Sequence, residues 1–285
     1  MTRRARALRL AVPALTLMVP LAAQTPSQPR LFLSAFAGYR TSRTLWTLNQ
    51  QPFAVFVSSG DTVVANSSGQ YDTLNLERRL VSGLAVGASA SYFPRRTLGV
   101  EAELAFLGMT LESQCAIRQA QPPAPNDVDP ALCASLQGQS VATNAVSLSV
   151  GLVGRLSPGG NASPYVRLDA GLLARARGTI AMEGTFTTAN GNFGTATVIA
   201  DPKPRTTDMH VALGAGVAVG VGPGYRVRFE GRDVMARLDQ VTGPADPSSP
   251  TSGSLTPPHA ARFTHNLMFI VALDVIFEKR RGRRY

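Results

Sequence analysis

The sequence predicts an all-β protein, an eight-stranded antiparallel up-and-down transmembrane β-barrel with short periplasmic turns and four long extracellular loops. Three observations predict it. Apolar and polar residues alternate along eight segments, each long enough to cross a bilayer as a tilted strand. Short and long connections between these segments alternate strictly. The first residues carry an export signal, and closed barrels let strands cross a membrane without leaving backbone groups unpaired.

The first residues have the three-part pattern of a secretory signal peptide. Four arginines lie within residues 1–9, an apolar run covers residues 10–21, and Ala22 and Ala23 supply small residues before Gln24. The apolar run is too short for a membrane-spanning helix. We therefore predict a signal peptide over residues 1–23, a short periplasmic leader over 24–30, the barrel over 31–278 and a basic periplasmic tail over 279–285.

The positive charge of the chain is concentrated at its two ends. The formal net charge is +10, and it falls to +6 without the four arginines of the signal and to +1 without the five basic residues of the tail. A nearly neutral body lacks the basic patch of a DNA- or RNA-binding surface. We therefore expect no nucleic-acid partner.

Eight segments have the two-residue period of a β-strand, with aliphatic residues on one row and small or polar residues on the other. In the fourth segment, for example, Val146, Leu148 and Val150 alternate with Ser147 and Ser149. In chain order the predicted strands are Leu31–Arg40, a strand within Leu74–Phe93, Leu98–Leu111, Val141–Leu156, Tyr165–Ile180, Asp208–Val221, Tyr225–Leu238 and Arg262–Phe277.

The connections between the strands alternate between long and short. The long loops cover residues 41–72, 112–140, 182–207 and 239–261, and the short turns cover residues 94–97, 157–163 and 222–224. We expect a hairpin within residues 53–64 of the first loop and another around Asn190 and Gly191 in the third. Bacterial outer-membrane barrels have brief periplasmic turns and long external loops, and an even strand count places both ends on the periplasmic side.

Aromatic residues lie near both ends of the predicted strands, as in the aromatic girdles of membrane barrels. The residues expected at the periplasmic rim are Tyr92, Tyr225 and Phe277, and those expected at the outer rim are Tyr39, Phe106 and Phe263.

Charged residues lie on the mixed rows of several strands, and a charge facing hydrocarbon is costly, so we expect these rows to face inward. The predicted lumen charge network consists of Glu101, Glu103, Arg167, Asp169, Arg226, Arg228, Glu230, Arg232 and Asp274. The interior of an eight-stranded barrel is just wide enough for side chains to fill it. We expect a packed polar plug with paired charges; the alternative is a narrow or gated pore.

The cysteines and histidines indicate a disulfide and no catalytic or metal site. Cys115 and Cys133 lie in one proline-rich loop of an exported chain, which predicts a disulfide. No nucleophile motif surrounds His210, His259 or His265, and two histidines seldom suffice for a metal. The glycines of 214–224 have the wrong spacing for a nucleotide-binding loop. We expect no cofactor.

Three patterns together resemble the OmpA-like family of eight-stranded outer-membrane barrels. They are Pro164 to Arg167 opening a strand after a short turn, the charged strand Tyr225 to Asp233, and the alternating last strand that ends on Phe277. The resemblance implies insertion by the barrel-assembly machinery, which reads a terminal strand ending in an aromatic residue. This chain departs from that pattern by continuing beyond Phe277 to Tyr285.

The sequence therefore predicts a non-enzymatic, monomeric integral outer-membrane protein in contact with outer-membrane lipid. Its role is envelope-structural or a surface interaction through the external loops, whose ligand the sequence does not name. One alternative is a narrow small-solute pore. Another is an exported soluble barrel of lipocalin type, which would turn the charged row to water and the aliphatic rows inward. A lipid-modifying enzyme is a more distant alternative.

Overall fold

Strands account for most of the residues that the computed structural model describes, which are residues 30–66, 69–158, 160–245 and 255–278. The predicted signal peptide, the leader up to residue 29 and the basic tail lie outside these ranges. Within them the chain forms sixteen strands and one α-helix. No helix in these ranges is long and apolar enough to cross a membrane.

Eight of the strands form a closed antiparallel barrel, and this fold class confirms the prediction. Strand β1 pairs with β6 on one side and β16 on the other, which closes the sheet. The barrel strands are β1 Arg30–Arg40, β6 Gly83–Phe93, β7 Leu98–Leu107, β10 Ala145–Arg155, β11 Ala162–Arg175, β14 Thr207–Gly222, β15 Tyr225–Val241 and β16 His259–Glu278.

The long connections lie at one end of the barrel and are themselves folded. We call these elements the cap: β2 Arg43–Ala54, β3 Phe56–Ser59, β4 Thr62–Ala65, β5 Tyr71–Val81, β8 Thr110–Arg118, α1 Asp129–Leu136, β9 Ser140–Ala142, β12 Met182–Thr187 and β13 Phe193–Ile199. Strands β2, β5, β8 and β9 form one sheet. The hairpins β3–β4 and β12–β13 are the two predicted ones, and their turns contain Gly60 and Gly191 at positive φ.

Several predicted strands and loops are wrong in extent, because strands continue from the barrel into the cap. The predicted strand within Leu74–Phe93 is two strands, β5 and β6, joined around Gly83. A Cβ on Gly83 would lie 2.2 Å from the carbonyl oxygen of Gly108, so the close approach of the chains requires glycine there. The third predicted strand ends at Leu107, and the loop predicted at 112–140 holds most of β8, the helix and the start of β9. The alternation of apolar and polar residues continues across these joints, so it does not show where a barrel strand ends and a cap strand begins.

The aliphatic rows of the barrel face outward and the mixed rows face inward. Each barrel strand contributes large apolar side chains to the outer surface, for example Leu31, Leu84, Leu104, Leu148, Leu168, Leu213, Phe229 and Phe269, which are between 39% and 69% exposed. The neighbouring residues on β16, Met268 and Ile270, are 3% exposed. This sidedness is the reverse of what a soluble lipocalin-type barrel requires.

The aromatic residues expected at the periplasmic rim lie at one level. Tyr92 and Phe277 both pair with Leu31, and Tyr225 pairs with Val275. The outer rim differs from the prediction, because Tyr39 pairs with Phe269. Phe263 lies six residues farther along β16, where β15 and β16 extend past the other barrel strands.

Candidate functional site

Arg167 occupies the centre of the barrel interior. Its Nη1 lies 2.7 Å from Glu101 and 3.0 Å from Glu103, and its Nε donates to Asp169 at 2.6 Å. The arginine side chain is 0% exposed. Strands β7 and β11 present these residues on their inward rows, so that three carboxylates surround one guanidinium.

Two further arginines, both from β15, extend the group. Arg232 donates to both carboxylate oxygens of Glu103, at 2.6 and 3.1 Å, and to Glu230 at 2.6 Å. Arg228 Nε lies 2.9 Å from Asp274 on the neighbouring strand β16. Because each charge has an opposite partner, the cluster offsets part of the cost of removing ions from water.

Arg226, the remaining member of the predicted network, lies near the start of β15, next to the turn that follows β14. It is half-buried and lies opposite Asp274 in the register of β15 and β16, toward the turn end of the barrel. Its guanidinium carbon lies 5.8 Å from the centre of the Phe32 ring. The other eight predicted residues are buried and linked to one another by ion pairs.

Three uncharged residues complete the cluster and were not named from the sequence. Tyr165 donates a hydrogen bond of 2.6 Å to Glu230, and Ser34 donates one of 2.8 Å to Asp274. Ser91 donates to Glu101. All three lie on inward rows, so strand periodicity combined with the charged rows could have identified them.

Aromatic and aliphatic layers enclose the charged cluster on both sides. Along β1 the inward residues are Phe32, Ser34 and Phe36, so the level of the cluster lies between two phenylalanines. Toward the turn end, the rings of Phe32 and Phe93 pack edge to face at 5.4 Å. The guanidinium of Arg155 lies 4.1 and 3.7 Å from their centres. The described part of the barrel interior is therefore filled by side chains, with the charged cluster between two aromatic layers.

A buried serine–histidine pair lies beside the cluster but lacks the geometry of a catalytic triad. Ser147 Oγ is 3.3 Å from His210 Nε2, whereas His210 Nδ1 has no hydrogen-bond partner. A general base needs an orienting group on that nitrogen. A second histidine, His265, also has a polar partner. Its Nδ1 lies 2.6 Å from Asp233, and this pair lies on the outer side of β15 and β16. His259 is the exposed first residue of β16, where a loop was predicted.

The cap has an apolar core of its own that continues into the outer half of the barrel. Leu76, Leu111 and Leu136 come from different cap elements and are each 0 to 1% exposed. The predicted disulfide is confirmed: Cys115 of β8 is bonded to Cys133 of α1, with the two Cα atoms 5.4 Å apart. The helix is thereby held against the cap sheet.

Arg40 joins the barrel to the cap, a role that the sequence did not indicate. It is 3% exposed, and its Nη2 donates to the carbonyl oxygens of Val81 at 2.6 Å and Gly108 at 3.3 Å. Those two carbonyls lie at the β5–β6 and β7–β8 joints. One guanidinium thus satisfies backbone acceptors where two strands leave the barrel.

The cap also contains three neighbouring carboxylates, on Asp72, Asp127 and Asp129, although the sequence predicted no metal site. Burial raises the pKa of Asp129 to about 8, and the negative charges of Asp127 and Asp72 contribute to the increase. Burial also raises the pKa of Asp72. The sequence did not reveal this cluster because Asp72 is more than fifty residues from the other two.

Comparison with solved structures finds similar barrels. Neisserial surface protein A (NspA) is similar with a TM-score of 0.41 and 9% identity, over 87% of this chain and 97% of that chain. The outer membrane protein OprG from Pseudomonas aeruginosa has a TM-score of 0.40 and 8% identity, over 89% and 98%. Ail, the attachment invasion locus protein of Yersinia pestis, has a TM-score of 0.32 and 12% identity, over 88% and 99%.

These likenesses are distant. No family model and no curated protein matches the chain. At such identities and scores the solved structures assign neither a family nor an activity. The placement of this barrel in a membrane rests on its own outer surface.

Proposed function

We propose that this protein is an integral outer-membrane β-barrel with a non-enzymatic role, either structural in the envelope or in a surface interaction through the cap. The observation that carries the proposal is the pairing of a lipid-compatible barrel with a cap of folded connections at one end only. Val150 and Phe269, 64% and 62% exposed, belong to an apolar surface present on every barrel strand. A continuous apolar surface of this kind is unfavourable in water and favourable in hydrocarbon.

The surface proposed for interaction is formed by the joined tips of the two cap hairpins. Asn192 of the β12–β13 hairpin donates a hydrogen bond of 2.7 Å to Asp61 of the β3–β4 hairpin. The backbone N–H of Ala189 donates one of 2.8 Å to the hydroxyl of Ser58. Beside these bonds Phe193 is 89% exposed. A rigid scaffold that presents an exposed aromatic residue on a loop is a common arrangement for recognition.

Orientation can be tested by cysteine labelling, since the chain has two cysteines and both are in the disulfide. Phe193→Cys places a thiol at the cap tip, and Arg96→Cys places one in the exposed β6–β7 turn at the opposite end. A membrane-impermeant maleimide added to intact cells should label Phe193→Cys alone, and permeabilised cells should show both labelled. The reverse pattern, or recovery of the protein without detergent and without a heat-dependent gel shift, would contradict the proposal.

The layered interior supports a non-conducting barrel over the pore alternative. Phe36 and Ile270 lie on the cap side of the charged cluster at 6% and 3% exposure, so a solute path would require these side chains to move. We expect no unitary conductance from the purified protein in planar bilayers. Stepwise currents that persist across independent preparations would favour the pore instead.

We further propose that the barrel is a monomer in contact with outer-membrane lipid and that Phe277 is read by the barrel-assembly machinery. Phe277 is 51% exposed on the outward row near the end of β16. Phe277→Ala should lower the assembled, heat-modifiable fraction in cells. Phe263→Ala is the matched control, because Phe263 has the same row and strand and a similar exposure of 56%. Equal loss in both variants would show that general packing, and not a terminal signal, is responsible.

A further inference from the structure

Three carboxylates converge where strand β5 meets the segment that leads into helix α1. Asp72 lies on β5, Asp127 precedes the helix and Asp129 is the first residue of α1. A possible ligand oxygen of each lies within 4.8 Å of those of the other two.

Two of the three carboxylates have buried oxygens without hydrogen-bond partners. Asp72 and Asp129 are each 1% exposed. Asp72 Oδ1 accepts from the backbone N–H of Ala120 at 2.8 Å, and Asp129 Oδ2 accepts from that of Phe56 at 3.2 Å. Their other oxygens, Asp72 Oδ2 and Asp129 Oδ1, have no partner. A buried, unsatisfied carboxylate oxygen is costly, and a bound ligand would satisfy both.

No basic side chain among the described residues neutralises this cluster. None of the ion pairs of the described chain includes Asp72, Asp127 or Asp129. Arg118 pairs with Thr73, next to Asp72 along β5, but its side chain is exposed and makes no ion pair with the cluster. The charged cluster of the barrel shows the usual alternative, in which arginines face each buried carboxylate.

We propose that Asp72, Asp127 and Asp129 form a binding site for one divalent cation of the calcium class. The available donors are oxygens, which hard cations prefer, and the described part of the chain offers no histidine or free thiol to this cluster. Two oxygens bound to one calcium ion at about 2.4 Å can be at most about 4.8 Å apart, which the observed spacing satisfies.

The cation would hold together segments that the disulfide does not join. Asp127 forms an isolated antiparallel β-bridge with Val57 of the β3–β4 hairpin. The backbone N–H of Val128 donates a hydrogen bond of 3.0 Å to the carbonyl oxygen of Phe56. Asp72 connects the same point to the central strand β5 of the cap sheet. Binding would therefore fasten the β3–β4 hairpin, with its share of the exposed tip, to the sheet and the helix.

Calorimetric titration of CaCl2 into the folded, disulfide-bonded mature protein in detergent tests the site. We expect one ion per chain with a dissociation constant of roughly 0.1–1 mM, as in extracellular calcium modules, and weaker binding of MgCl2. Asp127→Asn and Asp129→Asn should weaken binding about tenfold or more, since each removes a charged ligand. Glu183→Gln makes the same charge change at an exposed cap residue and should leave binding unchanged.

The wild-type protein alone can overturn the proposal, whether or not the variants fold. Absence of saturable calcium uptake up to about 10 mM, or magnesium binding of equal strength, would contradict it. As a second measurement, calcium should slow proteolysis of the wild-type cap relative to chelator. Asp72→Asn, checked for a normal heat-dependent gel shift, should lose that protection. Unchanged calcium uptake in all three variants would show that the ion binds elsewhere and would contradict the proposal. A cap that Asp129→Asn protects from proteolysis without any calcium uptake would show that the cluster holds a proton and not a cation.

Discussion

The central level of the barrel interior and the apolar core of the cap bury opposite kinds of residues. In the barrel, Leu148 is 58% exposed on the outside while Arg167 is 1% exposed inside. In the cap, Leu111 is 0% exposed and Glu77 and Arg79 lie toward the surface. The two regions use the same alternation of apolar and polar residues along strands. The surrounding solvent, which is hydrocarbon for the barrel and water for the cap, therefore decides which row is buried.

The charged interior of the barrel should be the most sensitive part of the molecule. Arg167→Met removes the guanidinium between Glu101, Glu103 and Asp169. It leaves the charge of Asp169 uncompensated and leaves Glu101 and Glu103 with one arginine partner fewer. We expect a loss of roughly 3–5 kcal/mol in the free energy of unfolding, measured by urea titration in lipid vesicles.

Arg177→Met, at an exposed arginine of the same chain, is the control for Arg167→Met and should change the free energy of unfolding little. An equal effect of both variants would show that the cluster contributes nothing specific to barrel stability. Adding Asp169→Asn to Arg167→Met should recover part of the loss, because the ion pair of Asp169 among the described residues is with Arg167, and the second substitution removes the charge left unpaired.

The core of the cap should respond to loss of volume where the outside of the barrel does not. Leu111→Ala creates a cavity at a fully buried site, and we expect a cost of about 2–5 kcal/mol in cap stability. Leu148→Ala, on the outward face, should cost much less. Proteolysis rates report cap opening, and the heat-dependent gel shift reports the barrel. A larger effect for Leu148→Ala would reverse the assigned sidedness.

The disulfide should stabilise the cap and leave the barrel unaffected. Cys115 and Cys133 are 18 residues apart, and closing a loop of this size contributes about 2–4 kcal/mol. Replacing both cysteines with serine should speed proteolysis of the cap without changing the temperature of the barrel gel shift. A barrel that loses its shift in this variant would show that the two regions unfold together.

The exposed ion pair of the cap should matter least. Arg79 Nε lies 3.8 Å from Glu77, and the two side chains are 39% and 30% exposed. Because such pairs are screened by water, Glu77→Gln should change cap stability by about 1 kcal/mol or less in the proteolysis assay. A loss comparable with that of Arg167→Met would show that exposed and buried charges contribute equally to the stability of this protein.

The number of barrel strands, their alternating faces and the end at which the long connections lie could all be predicted from the sequence. These features are local, since strand periodicity and turn residues can be counted along the chain. The inward direction of Glu101, Arg167 and Arg232 also followed locally, because a charge cannot face hydrocarbon. Two cysteines in an exported loop were enough to predict their bond.

The tertiary structure alone decided how the connections fold and which side chains meet. Whether Leu80 belongs to a membrane strand or to the cap depends on where hydrocarbon ends, and alternation is the same on both sides. Glu101 and Glu103, two of the partners of Arg167, come from β7, and the partners of Asp72 come from the helix region. Strand register and long-range packing bring these residues together. Register is set by the closing of the whole sheet, which no single segment records.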